Sequence, residues 1–162
     1  MDKFTLTSTA FTEGDMIPAR FTCEGDNSNP PLAIKNTPEG TMSLVIIVTD
    51  PDIPEVVKVE MGIDIFDHWV AYNIPPSTTD IAADDPIGTQ GANSGGSMGY
   101  TGPCPPAEHE PVEHRYFFTI YALDTTLELP EGATNSELET AMQGHVIATA
   151  ELVGRYQLQL SD

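Results

Sequence analysis

The apolar residues of this chain fall in short continuous or alternating runs separated by proline and glycine, and only one stretch repeats at helical spacing. Ser43-Leu-Val-Ile-Ile-Val-Thr49 is continuously apolar and β-branched, the pattern of a strand buried on both faces. His68-Trp-Val-Ala-Tyr-Asn-Ile74, stopped by Pro75-Pro76, and the aromatic Tyr116-Phe-Phe-Thr-Ile-Tyr-Ala-Leu123 predict two more strands that should neighbour the first. Lys3-Phe-Thr-Leu-Thr-Ser8 alternates as an edge strand does, and Ile17-Pro-Ala-Arg-Phe-Thr-Cys23 reads as a second peripheral extended piece.

Thr134 to Gly144 predicts the one clear helix. Thr134 and Glu137 form a capping box, Leu138, Ala141 and Met142 share a face, and Gly144 stops the run. His145 to Val153 then alternates as a last strand; prolongation of the helix through Gly144 is the alternative. The segment from Ile81 to Glu113 has no period and is rich in Gly, Pro, Ser, Asn and acids, as functional or disordered loops are. No repeat or low-complexity tract interrupts the chain, and 162 residues suit one domain, 1–162, around one core.

Composition narrows the function classes. Twenty-five acidic against six basic residues give a formal charge of -19, with the acids dispersed along the chain. Dispersal favours adaptation to a high-salt cytoplasm over attraction to a basic partner. Either way nucleic acid is excluded as a partner, because Arg20, Arg115 and Arg155 do not form a basic tract. No apolar run is long enough to insert into a membrane and the start lacks the regions of a signal peptide, so the expected location is cytoplasmic. In that setting the default for Cys23 and Cys104 is a free, buried or partly buried thiol, with a bridge as the alternative.

Candidate chemistry sits at two proline-studded turns, Asp50-Pro-Asp-Ile-Pro54 and Gly99-Tyr-Thr-Gly-Pro-Cys-Pro-Pro106. Proline ends a ladder, so Asp50 and Asp52 should stand on a fixed turn where a strand stops, one of them pointing inward. His68 and His114 each open a strand, and neighbouring strands bring such ends to one sheet edge. A carboxylate, two imidazoles, a tyrosine (Tyr116 or Tyr100) and turn amides suit an anion, phosphoryl or carboxylate. Metal is the weaker reading, since no element carries a tight ligand pair. Gly91-Ala-Asn-Ser-Gly95 has the wrong spacing for a serine nucleophile, and Cys104 beside His114 is a low-ranking thiol nucleophile. Taken singly, each histidine is a hydrogen-bonded half-buried ring and Asp50 a cap for turn amides. His145 is expected at the carbonyl end of the helix.

Across nearly its full length the chain resembles the phosphatidylethanolamine-binding protein family, in its prokaryotic Raf-kinase-inhibitor-like branch. The resemblance rests on Asp50-Pro-Asp-Ile-Pro54, His68-Trp69 with Asn73-Ile-Pro75, Gly99 to Pro106, His114-Arg-Tyr116 with Tyr121 to Asp124, and Ala141 to Val146 with Glu151 to Tyr156. It implies a mainly β fold with a large central antiparallel sheet, a second small sheet and one or two short helices. It also implies an anion pocket formed by Asp50, His68, His114 and Tyr116, with the backbone of Gly102 and Cys104 closing it; Asp52, from the turn itself, completes the expected ligand-binding set. With its last residue at Asp162, the sequence is expected to depart from animal members in their longer C-terminal helix. The expected function is non-enzymatic binding of a small phosphorylated or carboxylated ligand, without cofactor or metal, in a protein that regulates a kinase or protease. The alternatives are inhibition through a surface loop near residues 84 to 113 and an Asp/His hydrolase. The Glu55 to Asp67 segment is expected to shape the pocket mouth or a homodimer contact.

Overall fold

A computed structural model describes residues 2–159. Two antiparallel sheets and two short helices account for the regular structure. The larger sheet runs β6 (Thr89–Gln90), β4 (Phe66–Ile74), β3 (Ser43–Asp50), β7 (His114–Leu123), β8 (Val146–Tyr156); the smaller runs β1 (Thr5–Thr7), β2 (Leu32–Lys35), β5 (Asp80–Ile81).

The continuous apolar run of β3 has its reason in this layering. Leu44, Ile46 and Val48 face the small sheet, where Leu6, Leu32, Ile34 and Ile81 meet them in the main core. Val45 and Ile47 face the opposite side, where Leu127, Ala133 and the buried Leu138 and Met142 of α2 (Asn135–Met142) cover them. A strand covered on both faces has no solvent side on which polar residues would be tolerated.

Helix α2 begins as its sequence predicts. The Thr134 hydroxyl accepts from Glu137 N–H at 3.2 Å while the Glu137 carboxylate accepts from Thr134 N–H at 3.0 Å. Gly144, at φ +81°, adopts the left-handed conformation that ends it, and β8 follows. The His145 ring, predicted to lie on helix carbonyls, instead meets Asp124 at 2.8 Å; only its backbone N–H donates to Met142.

Two expectations are corrected. Residues 17–23 are not extended: Pro18 starts a 3-10 turn over Ala19–Phe21, and the Thr22 hydroxyl donates back to the Ala19 carbonyl at 2.8 Å. Cys23 and Cys104 are not free thiols but a disulfide with Cα atoms 5.5 Å apart. Cys23 N–H donates to the Pro103 carbonyl, which lays the two chain segments side by side; a separation of 81 residues gives the sequence no local sign of this. Within the stretch from 81 to 113, residues 87 to 99 are tied into the fold by their own side chains. Asn93 Oδ1 accepts from Gly95 N–H and its amide donates to the Gly99 carbonyl, while Gln90 joins Trp69 Nε1–H to the Ile87 carbonyl.

Candidate functional site

β4 and β7 both run antiparallel to β3 and flank it, so their first residues stand on either side of its last. That topology brings His68 and His114 to Asp50. A bulge completes the convergence: Val48 pairs with Trp69 but Thr49 pairs with Asp67, leaving His68 as an extra residue on β4. In a strict period-two strand His68 would oppose Trp69; the bulge turns its ring toward Tyr116, with centroids 5.2 Å apart.

These residues line a cavity of about 190 Å³, together with Gly102, Cys104 and, from the first turn of α1 (Glu55–Met61), Val57. Asp50, His68 and His114 are only 2, 6 and 1 % exposed. Asp50 Oδ1 accepts the Asp52 N–H at 2.7 Å and Oδ2 lies 2.6 Å from His114 Nδ1. His114 Nε2 is 2.9 Å from the Pro111 carbonyl. Both nitrogens of His114 therefore face acceptor oxygens.

His68 is placed differently. Its Nδ1 lies 2.7 Å from the Thr101 carbonyl, an acceptor only, so the proton sits on Nδ1 and Nε2 is left toward the cavity. Burial holds the His68 pKa below its ordinary value, opposed by the Thr101 hydrogen bond and the Asp50 charge. The Tyr116 hydroxyl is buried with no hydrogen-bond partner among the described residues. Burial, with the Asp50 charge adding to it, pushes its pKa up, so Tyr116 remains a phenol with a proton to donate.

Of the seven residues expected at the site, six line the cavity and Asp52 does not. Asp52 turns outward, bonding Arg115 Nε and a terminal nitrogen at 2.8 Å each and Arg115 N–H at 2.9 Å. Those bonds hold its pKa below the ordinary value. Gly102 is present for another reason than an anion-facing amide: its N–H donates to Asn27 Oδ1 at 2.7 Å, and a Cβ there would fall 2.3 Å from the Phe21 carbonyl. Cys104 lines the cavity as half of the disulfide. Tyr100, the other tyrosine considered, donates to the Phe21 carbonyl and packs edge-on against Trp69. Thr101 and Pro111, whose carbonyls fix the two imidazoles, carry no sequence signal, because any residue supplies a carbonyl.

Comparison with known proteins agrees with this architecture. Residues 7–157 match the family model described as phosphatidylethanolamine-binding protein. A UPF0098 protein of Pyrococcus horikoshii is 49% identical over 159 residues, covering 93% of this chain and 75% of its own. One from Chlamydia trachomatis is 45% identical, covering 94% and 97%. Among solved structures, a phosphatidylethanolamine-binding protein homolog from Chlamydia trachomatis superposes with a TM-score of 0.90 at 41% identity, covering 98% of this chain and 100% of its own. E. coli YbcL, described as a member of the mammalian PEBP family, gives 0.84 at 28% identity with the same coverage. The match over most of the length, on top of the sheet order and the pocket at the end of β3, means that the chain belongs to the phosphatidylethanolamine-binding protein family.

Proposed function

We propose that this protein is a non-enzymatic binding protein whose pocket takes a small anion, phosphoryl or carboxylate. The observation that carries the reading is the buried, unpartnered hydroxyl of Tyr116, a residue that lines the cavity. A buried hydroxyl without a partner costs about 1–3 kcal/mol, and a ligand oxygen would remove that cost. His68 Nε2 stands on the same cavity and becomes a second donor once protonated. The Asp50 carboxylate is already engaged by the His114 ring and the Asp52 amide, which lessens repulsion of an anion.

The same bonds favour binding over turnover. Asp50 and His114 have their polar atoms occupied by one another, by a turn amide and by a carbonyl, and Cys104 is in a disulfide, so the Asp50–His114 pair is not free to act as a general base and no thiol nucleophile is offered; His68 Nε2 is the unengaged base of the site. In regulating a kinase or protease, the presenting surface would be the exposed run 107–112 beside the pocket. The earlier part of the 84–113 loop is hydrogen-bonded into the fold.

Calorimetric titration of inorganic phosphate and phosphoethanolamine into the wild type and Tyr116→Phe tests the reading. Loss of a hydrogen bond to a charged ligand corresponds to about 10- to 100-fold in affinity. Binding should also be tighter at pH 5.5 than at pH 8.5, where His68 is neutral. No binding, or equal binding by both proteins at both pH values, refutes it.

A further inference from the structure

The outer edge of β8 is only half covered. Gly14 and Ile17 N–H donate to the carbonyls of Val153 and Arg155 at 2.8 Å each, and Arg155 N–H donates to the Asp15 carbonyl at 2.9 Å. Val153 N–H is met by the Glu13 side chain at 3.1 Å. Residues 13–17 thus act as a short strand beside the end of β8, with Met16 paired parallel to Arg155. A turn from Thr12 to Asp15, with Gly14 at φ +83°, then carries the chain off the edge.

Beyond that turn, among the described residues, no backbone hydrogen bond covers the edge, although β1 packs close beside it. The β7–β8 register runs without a break from Tyr116 opposite Gly154 to Ala122 opposite Ala148. Hydrogen-bonding direction alternates along a strand, so Thr149 and Glu151 point their N–H and C=O groups outward as Val153 and Arg155 do. Among the described residues no backbone group meets them. The edge instead borders a groove of about 680 Å³, with Thr149 to Leu152 on one side, β1 on the other and Glu13 at the point where the turn departs.

We propose that the open half of β8 is a docking slot for an extended segment of a basic polypeptide, which adds a strand to the five-stranded sheet. Unpaired outward groups on an edge are a template for strand addition, and here residues 13–17 already demonstrate that the same edge accepts a partner. Charge selects the occupant. Glu13 and Glu151 border the groove against the single ammonium of Lys3, on a chain of net charge -19. A second copy of this chain would bring the same carboxylates to the same edge, whereas lysine or arginine side chains on an incoming strand would meet them with opposite sign.

The test is an octapeptide of alternating lysine with valine or threonine, acetylated and amidated, titrated into the full chain while amide exchange is followed by NMR. Exchange at Thr149 and Glu151 should slow at least fivefold, the protection weakening with added KCl. Two controls remove it: Thr149→Pro, which deletes an outward donor and leaves the ladder to β7 intact, and the same peptide N-methylated at alternate residues, which needs no change to the protein. An equally protective glutamate version of the peptide overturns the charge argument. Unchanged exchange at millimolar peptide overturns the slot, as does protection that survives both controls. Protection of the same amides without peptide, rising with protein concentration alongside a dimer in sedimentation, overturns it in favour of a second copy.

Discussion

Asp50 and Asp52 stand two residues apart on one turn, and each meets a basic residue at the start of β7, His114 and Arg115 respectively. The pairs differ in burial. Asp50 and His114 are almost fully enclosed, with side chains 3 and 1 % exposed, whereas Arg115 is 56 % exposed where it meets Asp52. Adjacent residues of a strand face opposite ways, so one turn and one strand start generate an inner pair that shapes a cavity and an outer pair that clips the turn to the sheet. The partners are alike in sequence, and the dielectric surroundings separate the roles.

Substitution sharpens the contrast. Asp50→Ala leaves His114 facing the Pro111 carbonyl without its carboxylate and should cost about 3–5 kcal/mol, as removal of one partner from a buried pair does. A domain of this size would then melt about 10 °C lower in calorimetry. Retention of the wild-type Tm would mean the inner pair contributes no more than a surface contact. His68 gives an intermediate, pH-dependent effect. Its folded pKa lies below the ordinary 6.5, so the unfolded chain takes up the proton more readily. Its contribution is therefore neutral above 6.5 and turns destabilising as pH falls from 6.5 through the folded value. The loss of Tm between pH 7 and 5 should be shallower in His68→Gln than in the wild type, and a steeper loss would contradict the assignment. Asp52→Ala is the smallest change, below about 1 kcal/mol for a pair whose arginine is exposed, with phosphate binding unaltered. A variant that lost phosphate binding would put Asp52 back in the pocket.

The parts of this molecule legible in sequence are those where one physical requirement acts over several neighbouring residues. The doubly covered β3 shows in an unbroken β-branched run, and the capping box of α2 in residues three apart. The meeting of His68, His114 and Asp50 follows from strand ends at one edge. The rest depends on single events between distant segments. No pattern marks the extra residue at His68, the disulfide across 81 residues, or the capture of Gly102 N–H by Asn27. The small sheet was only partly visible because β2 and β5, of 4 and 2 residues, are too short to display a period. Which carboxylate of the turn faces inward was also beyond the spacing alone, since proline suspends the alternation that would decide it.

The proposed anion enters beside the free nitrogen of His68 and the idle hydroxyl of Tyr116. The direct measurement is an NMR pH titration of the His68 ring with and without inorganic phosphate. The midpoint should lie below 6.5 in the free protein and move upward when phosphate binds, because the anion and the proton on Nε2 stabilise each other. A His68 titration unmoved by saturating phosphate would show that the ring does not meet the ligand.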